Sequence, residues 1–475
     1  MSRFSRKSGV IAAAGAFFAA GGGAAIADVI QAQRITPIPR STSQIFGLSL
    51  AFDGTTILAG AGFENSAGFG AGAAYVFQKN GSGNWVQQVR LLAPTPASSE
   101  YFGTGVAIDG TTMMIGAPSR TSSGVGDAGE AFAYELQAGS WVRVQTLVSS
   151  APINGGYFGD TIDIEGDLAV IASWTSPFPS AGGSAGREAR VFERTGGVWA
   201  ETAVLAAPRA FSNGFTGSAD VEISDGVVYL SGSAELDGGN VVGAVFVYER
   251  SGASWQQTAT LRPSDGVVSA RYGQAVAISG DLVAVTAPND MINGLAIAGS
   301  VYLYERTGST LTEVRKLTAP TPAARDFFGV DIAFDGRSLL VGAYQSEITQ
   351  PFQRRGYAVL YHMTGSDPGA GTIITASDGE PHDLFGWHVG LSGDEAVITA
   401  PMETTNQGAA YVYRGVAPPC PADIDGDGSV GLPDLAALLS NFGSLGGGLS
   451  GDLDADGDVD LADLAVLLGA FGSNC

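Results

Sequence analysis

The sequence predicts a mainly β protein, in which a seven-bladed β-propeller closed by its N-terminal strand precedes a small α module of two loop-helix units. Three observations predict this architecture. A unit of about 56 residues recurs seven times, a segment near the N-terminus resembles a strand that the last copy lacks, and the composition changes abruptly after residue 419.

The repeated unit is clearest between Phe102 and Pro118, where two short apolar runs flank Asp109-Gly110. Asp-Gly between alternating apolar residues indicates a tight β-hairpin. Near-copies follow at intervals of 56, 56, 59, 55, 56 and 57 residues and begin at Phe46, Phe102, Phe158, a degenerate Gly217, Tyr272, Phe328 and Phe385. Because one such unit cannot bury its own apolar face, the copies must stack on one another.

Each copy continues with a Gly-rich loop and a strand rich in aromatic residues, such as 74–77. In most copies a fourth strand follows, and four of these strands open with a tryptophan: Trp85, Trp141, Trp199 and Trp255. Four strands in each of seven repeats predict a seven-bladed propeller. Because the tryptophans recur at one repeat position, packing between blades is favoured over an exposed sugar-binding platform.

The N-terminal segment 33–37 supplies the strand that the seventh copy lacks. That copy stops at Tyr413, and Arg34 precedes Phe46 by twelve residues, just as Arg90 precedes Phe102. We therefore expect the N-terminal strand to complete the last blade and remove the free edges of an open ring.

These repeats resemble the FG-GAP repeats of the integrin alpha-subunit propeller and of many secreted bacterial proteins, over about residues 33–414. The resemblance rests on Phe-Gly at the repeat starts and on the tripeptides 116–118, 286–288 and 399–401 after the hairpins. Family members that bind calcium in their blades carry Asp-x-Asp-x-Asp-Gly loops. The long loops here hold only scattered acids, and we expect no calcium in the blades: Glu64, Asp127, Glu235, Asp237 and Asp290.

The N-terminal segment predicts that the protein is exported. Residues 1–27 read as a secretory signal peptide, with three basic residues, an apolar run over 10–20 and a small-x-small site at 25–27. An uncleaved anchor is the alternative. No other long apolar segment follows, so the mature chain should have no membrane span and should be secreted and extracellular, free or attached to the cell surface.

Charge excludes some partners. The net charge is -23, and it becomes -26 without the signal peptide, because three of the 24 basic residues and none of the 47 acidic residues lie within 1–27. Nucleic acid and anionic membrane are therefore poor partners.

The predicted domains are a propeller over 28–414, a linker over 415–419 and a C-terminal module over 420–475.

The C-terminal module holds ten Asp and no Lys, Arg or Glu. Its acids fall at positions 1, 3, 5 and 12 of two EF-hand-type loops 29 residues apart, with Gly428 and Gly457 at position 6. Position 7 is Ser429 in the first loop and Asp458 in the second, and position 9 is Gly431 and Asp460. We expect two Ca²⁺ ions, one held by each group of candidate ligands: Asp423, Asp425, Asp427, Ser429 and Asp434, and then Asp452, Asp454, Asp456, Asp458 and Asp463. The alternative is an acidic linker without metal.

Each loop leads into a predicted helix with one apolar stripe, which Gly443 and Gly472 should end. Two units of this size have too little core to fold alone, so folding should depend on calcium. The only two cysteines, Cys420 and Cys475, bound the module and are expected to form one disulfide in an oxidising compartment, although two free thiols are the alternative.

The module resembles a type I dockerin, in particular the cysteine-bounded GC-type variants of secreted bacterial proteins. The resemblance implies docking to a cohesin-like receptor, or to another surface or sorting protein. Dockerins carry a Ser/Thr pair at loop positions 10 and 11, where this chain has Leu432-Pro433 and Leu461-Ala462. The known cohesin specificity is therefore not transferred to this chain.

Two classes of function fit the sequence. The first is a non-catalytic binding or adhesion protein, with an unidentified protein or glycan ligand on the propeller. The second is a carbohydrate-active enzyme, which would need two carboxyl groups roughly 5 to 10 Å apart in a cleft of the propeller channel. Of the three histidines, His362, His382 and His388, the latter two lie near Trp387 in the seventh repeat and could form a base or a metal pair. A surface loop or a packed strand explains them equally well, so we expect binding and not catalysis.

Overall fold

The computed structural model describes most of the chain beyond the predicted signal peptide, which lies outside the described residues. The described ranges are 29–40, 43–174, 186–207, 220–232, 236–237, 240–344, 355–418, 420, 422–425, 429–446, 449–453 and 457–472. They form two compact units, divided between Pro418 and Pro419. No helix within these ranges is long and apolar enough to cross a membrane.

Strand β1 spans Ile30–Ile35, and the next twelve strands form the first three four-stranded sheets. Blade 1 comprises β2 (Ser49–Phe52), β3 (Thr56–Ala61), β4 (Ala73–Lys79) and β5 (Trp85–Leu91). Blade 2 comprises β6 (Val106–Asp109), β7 (Thr112–Ala117), β8 (Glu130–Gln137) and β9 (Ser140–Leu147). Blade 3 comprises β10 (Ile162–Glu165), β11 (Leu168–Trp174), β12 (Arg187–Thr195) and β13 (Val198–Ala206).

The same order continues in the next three blades. Blade 4 comprises β14 (Val221–Ser224), β15 (Val227–Gly232), a small hairpin of β16 (Leu236–Asp237) and β17 (Asn240–Val241), β18 (Ala244–Ser251) and β19 (Ser254–Leu261). Blade 5 comprises β20 (Val276–Ser279), β21 (Leu282–Ala287), β22 (Ser300–Thr307) and β23 (Thr310–Leu317). Blade 6 comprises β24 (Ile332–Phe334), β25 (Ser338–Ala343), β26 (Tyr357–Thr364), β27 (Asp367–Pro368) and β28 (Thr372–Ile374).

Blade 7 closes the ring with a strand from the other end of the chain. It comprises β29 (Val389–Ser392), β30 (Glu395–Ala400), the short helix α1 (Glu403–Asn406), β31 (Ala409–Arg414) and β1. Strand β1 pairs antiparallel with β31, from Ile30 opposite Arg414 to Ile35 opposite Ala410. The predicted seven-bladed propeller with N-terminal closure is therefore confirmed, and the closing strand begins three residues earlier than expected.

The Phe-Gly pair at the start of each repeat joins two neighbouring blades. In the second repeat, the Phe102 amide donates to the carbonyl of Ala71 in blade 1 at 3.1 Å, and the Gly103 amide donates to Gly116 of its own blade at 2.8 Å. Gly103 has a φ of 92°, and a Cβ there would lie 2.3 Å from the Ala73 carbonyl oxygen. Only glycine fits this position without strain.

The phenylalanine of the pair fills the core between blades. Phe102 is fully buried and packs its ring 5.6 Å from that of Phe132. Equivalent pairs recur around the ring between the repeat start and the third strand of the same blade, at centroid distances of 5.3 to 5.8 Å: Phe46–Tyr75, Phe158–Phe192, Tyr272–Tyr302 and Phe385–Tyr411. These contacts explain why both the Phe-Gly pair and the strand aromatics recur. The fourth start, Gly217, lies outside the described residues.

The tryptophans of the fourth strands also pack inside the ring. Trp85 and Trp199 are each 2% exposed. Trp85 belongs to an apolar cluster that spans blades 7 and 1, and Trp199 to one that spans blades 2 and 3. Trp141 and Trp255 are half-buried at the edges of such clusters. This placement agrees with packing between blades.

A glutamine links these fourth strands across blade boundaries. The Gln33 side chain of β1 donates to the Trp85 carbonyl at 2.7 Å and accepts from the Trp85 amide at 2.8 Å. Gln145 of β9 binds Trp199 in the same way, at 2.7 and 2.9 Å. The Gln33 link joins the closing strand of blade 7 to the fourth strand of blade 1.

The C-terminal unit contains two helices, α2 (Leu432–Ser440) and α3 (Leu461–Ala470). Each begins directly after one of the two acidic loops, and Gly443 and Gly472 follow the helices with φ values of 79° and 85°. A small apolar core joins the two loop-helix units, with four buried residues related in pairs by the 29-residue spacing: Val430 and Val459, Leu438 and Leu467.

We expect Gln33→Ala to lower the free energy of unfolding by about 1–2 kcal/mol, because the backbone N–H and C=O of Trp85 lose their partners. The matched control is Gln88→Ala on β5, since Gln88 is exposed and binds only the nearby Val86 carbonyl. Urea unfolding followed by tryptophan fluorescence measures both changes. Equal losses in the two variants would contradict a special role for the closing strand.

Candidate functional site

The two acidic loops bring together several of the predicted ligands. In the first loop, carboxylate oxygens of Asp423, Asp425 and Asp434 lie within 4.8 Å of one another. In the second, those of Asp458, Asp460 and Asp463 do so. Within the described residues these are the groups of three or more such side chains close enough to share an ion. Asp460, at loop position 9, was not among the predicted ligands.

The structure describes only some of the other predicted ligands. Ser429 lies at the start of the segment that leads into α2, and Asp452 opens the second loop. Asp427, Asp454 and Asp456 lie outside the described residues. Cys420 is not a free thiol, and Cys475 also lies outside the described residues, so the disulfide between them stays a prediction.

The aspartate at position 12 closes each loop through backbone hydrogen bonds. The buried Asp434 carboxylate accepts the amides of Ile424 at 2.7 Å, Asp425 at 3.1 Å and Gly431 at 2.7 Å. Hydrogen bonds from Gly431 and Asp425 lower the pKa of Asp434. Asp463 accepts Leu453 at 2.5 Å and Asp460 at 2.7 Å, which are the equivalent loop positions. Both carboxylates therefore accept backbone amides at equivalent positions of their loops.

Each loop also accepts a hydrogen bond from the residue that follows the helix of the other loop-helix unit. The Gly443 amide, just after α2, donates to the Val459 carbonyl of the second loop at 2.7 Å, and the Gly472 amide, just after α3, donates to the Val430 carbonyl of the first at 2.8 Å. Because the two contacts are reciprocal, neither loop-helix unit is complete without the other.

One carboxylate oxygen in the second loop has no donor. Asp452 Oδ1 is buried and has no hydrogen-bond partner among the described residues. A buried charged oxygen without a partner is costly unless a cation or another donor satisfies it. The oxygen donor set, with carboxylates at alternating positions, suits a hard cation such as Ca²⁺.

The surface of the C-terminal unit carries paired exposed apolar side chains. Leu432 and Leu461, at loop position 10, are each 72% exposed. The helices add further pairs with the same 29-residue spacing: Leu439 and Leu468, Phe442 and Phe471. These side chains are available to a partner surface.

A second acidic region, which sequence analysis did not predict, lies in the propeller channel. The first strands of all seven blades, with the residues just before them, line a cavity of about 560 Å³. Five acids from three blades lie in its wall. Four of them are called the channel acids here, and Asp160 is the fifth: Asp163, Asp220, Glu222 and Asp331. His388 lines the same cavity.

Three of the channel acids link neighbouring blades. Asp163 of blade 3 accepts the Ile223 amide of blade 4 at 2.7 Å. Asp220 accepts the Val276 amide of blade 5 at 3.0 Å, and Asp331 accepts the Val389 amide of blade 7 at 2.8 Å. These carboxylates therefore satisfy backbone donors at the inner rim and have a structural role.

Burial raises the pKa of Asp163 to about 6 and that of Asp220 to about 7. Burial, with the neighbouring Asp163 and Asp220 carboxylates, raises the pKa of Glu222 well above its ordinary value. Asp163 and Glu222 line the same wall of the channel, on the first strands of blades 3 and 4.

His388 is the histidine that reaches the channel. Its Nδ1 lies 3.0 Å from Asp331 Oδ2, and the ring also contacts the Leu48 carbonyl. Burial lowers its pKa, but the charge of Asp331 and these hydrogen bonds outweigh burial and raise the pKa overall. His362 instead binds Ser338 on β25, and His382 lies in an exposed loop, so the structure forms no histidine pair.

The scattered loop acids lie in other surroundings. Glu64 is buried and paired with Arg90 at 2.9 Å, and Asp290 is buried and paired with Lys316 at 2.7 Å. Asp127 lies in a loop with a φ of 48°. Glu235 lies outside the described residues, and the Asp237 side chain is not described.

We expect Asp331→Asn to lower the pKa of His388, because the variant removes the negative charge beside Nδ1 but keeps an acceptor of the same shape. With Asp331 present, the ion pair stabilises the fold below the ordinary histidine pKa, and this contribution is lost as pH rises through the raised value. Nuclear magnetic resonance titration of the imidazoles measures the shift. His362, which does not contact Asp331, is the internal control; an unchanged His388 titration would contradict the pairing.

Comparison with known proteins identifies the sequence family of the repeats. A family model described as FG-GAP repeat matches residues 29–77, 85–134, 255–304, 311–357 and 371–413, together about half of the chain. No curated protein matches the sequence. One similar solved structure is the periplasmic gluconolactonase PpgL of Pseudomonas aeruginosa, with 16% identity and a TM-score of 0.42 over 70% of this chain and 85% of that one.

Another is the acylaminoacyl peptidase of Pyrococcus horikoshii, with 7% identity and a TM-score of 0.42 over 74% of this chain and 48% of that one. The matched family segments fall on six of the seven blades and include the closing strand. The chain is a member of the FG-GAP repeat family.

Proposed function

We propose that this protein is a secreted, non-catalytic binding protein, whose propeller is an interaction platform and whose C-terminal unit is a calcium-folded, dockerin-like docking module. The single observation that carries the proposal is the repeated loop geometry, in which a buried aspartate at position 12 closes each of two acidic loops.

Calcium accounts for the charge of the module. Ten aspartates with no Lys, Arg or Glu between residues 420 and 475 repel one another unless cations neutralise them. The clustered oxygens of Asp423, Asp425 and Asp434, and the donorless Asp452 Oδ1, are oriented for a hard cation. The two predicted ions would each be held by one loop, with Asp460 added to the second ligand set.

Metal binding would also supply folding free energy. The apolar core of this unit has only five buried residues among those described, which is small for an independent domain. Because the ligands come together only when the loops and helices form, binding free energy becomes folding free energy. A disulfide between Cys420 and Cys475 would add a further restraint on the unfolded chain.

The docking role rests on the paired exposed apolar residues. Leu432 and Leu461 stand where familiar dockerins carry the Ser of their Ser/Thr pair, so a partner should recognise an apolar and not a hydroxyl surface. The partner class is a cohesin-like receptor or another surface or sorting protein. The predicted signal peptide implies that this protein is extracellular.

The channel supports binding in preference to catalysis. Three of its acids, Asp163, Asp220 and Asp331, accept backbone amides of neighbouring blades. A glycoside hydrolase would need carboxyls held apart around a sugar. The propeller ligand, a protein or a glycan, is therefore expected on the loops of one face and not at a reacting centre.

Calorimetric titration of the mature full-length chain with Ca²⁺ should show two sites, with dissociation constants on the order of 10⁻³ M or tighter. Asp423→Ala and Asp452→Ala should each remove one site, and calcium should increase the helical circular dichroism signal. Asp281→Ala, an exposed aspartate of the propeller, is the matched control. No heat of binding at millimolar calcium would overturn the metal assignment.

Labelled mature protein should bind the surface of the producing cells in calcium and be released by a chelator. The double variant Leu432→Ser with Leu461→Ser should bind several-fold less, because the apolar contact is lost. Leu445→Ser is the matched control, since Leu445 is 81% exposed but lies outside both loops and helices. Equal loss in the control, or retention that ignores calcium, would contradict docking through this surface.

A further inference from the structure

Three aromatic side chains lie in contact at one end of the channel and are called the aromatic stack here. The rings of Phe327 and Tyr344 in blade 6 are stacked with their centroids 4.7 Å apart, and the Tyr344 ring lies 4.9 Å from that of Trp387 in blade 7. All three side chains are half-buried, and Trp387 lines the channel cavity. Because Trp387 comes shortly before β29 and Tyr344 directly follows β25, the aromatic stack lies where the first strand of each blade begins. This end of the channel is called the channel mouth.

The aromatic stack departs from the repeat. The residue after each Phe-Gly or Tyr-Gly pair lines the cavity, and Trp387 is the aromatic member among those that the structure describes: Leu48, Thr104, Asp160, Gln274, Val330 and Trp387. Tyr344 stands at a position where blades 2, 5 and 7 carry a proline: Pro118, Pro288 and Pro401. Since blades 2 and 5 fold without an aromatic side chain at either position, a blade does not need the stack in order to fold, and the exposed part of the rings is available to a ligand.

A carboxylate is held in place on the opposite side of the channel mouth. Asp160 of blade 3 occupies the same repeat position as Trp387 of blade 7 and lines the same cavity. The buried Arg187 side chain lies 3.4 Å from Asp160 Oδ2, and its guanidinium lies 4.4 Å from the centre of the Trp174 ring. The Asp160 side chain is 36% exposed, so part of this fixed carboxylate can accept hydrogen bonds from a ligand.

The charges of the cavity exclude an anionic ligand. Five acids line it, whereas its described lining contains no Lys or Arg, and His388 is paired with Asp331 at 3.0 Å. Phosphorylated and sulfated ligands and uronic acids would therefore be repelled. A neutral sugar instead offers hydroxyl groups, which donate to carboxylates, and a ring face of C–H groups, which packs on an aromatic ring.

The size and shape of the channel mouth also fit a sugar chain. The cavity of about 560 Å³ falls within the range of small-molecule sites. Trp387 lines this cavity, and the contacts to Tyr344 and then Phe327 continue the aromatic surface beyond its lining. Consecutive sugar rings of one chain therefore have consecutive apolar surfaces to pack on. A small organic cation would contact the acids of the cavity and leave Tyr344 and Phe327 uncovered.

We propose that the channel mouth binds the end of a neutral glycan, with sugar rings packed on Trp387 and Tyr344 and hydroxyl groups that donate to Asp160. Glycan binding here depends on the proposed role of the propeller as an interaction platform and defines the class of its ligand. Asp220 and Asp331 accept backbone amides of neighbouring blades, so they stabilise the rim of the site and are not needed as sugar contacts.

The test is calorimetric titration of the mature full-length chain, at saturating calcium, with neutral oligosaccharides of glucose, mannose, galactose and xylose, and with oligogalacturonate as the anionic probe. A neutral oligosaccharide should bind and oligogalacturonate should not. Trp387→Leu and Tyr344→Pro, which introduce the residues of equivalent positions in other blades, should each weaken binding about tenfold, because a ring contact is lost. Trp141→Ala, at a half-buried tryptophan outside the cavity, is the matched control and should bind like the wild type.

Thermal unfolding shows whether each variant is folded, and Trp387→Phe, which keeps an aromatic ring, should retain most of the binding if Trp387→Leu does not fold. Three results would overturn the site: no binding of any neutral oligosaccharide, equal weakening by Trp141→Ala, or binding of spermine that depends on Trp387 while no sugar binds.

Chromatography of the recovered oligosaccharide tests the proposed function separately. We expect the sugar to be recovered intact. Shortened products would contradict the non-catalytic role but not the site, whereas a lack of binding would overturn the site and leave the calcium-dependent docking of the C-terminal unit unaffected.

Discussion

The propeller depends on one close backbone contact, which the Phe-Gly pair makes at four of the described blade boundaries, those that begin with Phe46, Phe102, Phe158 and Phe328. The phenylalanine amide binds the preceding blade and the glycine amide binds its own blade. A side chain in place of Gly103 would collide with the Ala73 carbonyl. Because the first strand begins only a few residues later, this contact also fixes how far each inner strand stands from the channel axis.

The sequence predicts the blades well because their determinants are local and repeated. Asp-Gly turns, alternating apolar residues and tryptophans at one repeat position identify strands without knowledge of the ring. The closing strand could also be predicted, since Arg34 and Arg90 occupy equivalent positions. The small hairpin of β16 and β17 lies in the loop where the described parts of blades 2 and 5 have only an isolated antiparallel bridge, and no periodic sequence signal predicts it.

The channel acids could not be predicted in the same way. Asp163 in Ile-Asp-Ile and Glu222 in Val-Glu-Ile look like ordinary polar residues on the exposed face of a half-buried strand. In the ring that face lines the channel. Asp163 and Glu222, 59 positions apart, lie in the same channel wall because the blades are arranged in a ring, and not because of any local signal. The two acidic loops of the tail could be recognised in the sequence, since the candidate ligands of each loop lie within twelve consecutive residues.

The two units neutralise negative charge by different chemistry. In the blades, buried acids meet cations from the same chain, as Glu64 meets Arg90 and Asp290 meets Lys316. Residues 420–475 include no basic residue, so the described carboxylates of the tail bind backbone amides instead. If the proposed calcium binding holds, the stability of the tail should follow the calcium concentration, whereas that of the blades should not.

Closure by the first strand imposes an order on synthesis and folding. Ile30 pairs with Arg414, so the last blade cannot form until almost the whole propeller has been made. Closing a loop of this length carries a large entropic cost before any contact rewards it, which slows folding. Until residues as far as Arg414 have been made, the closing strand β1 has no partner, so its free edge stays unprotected during synthesis.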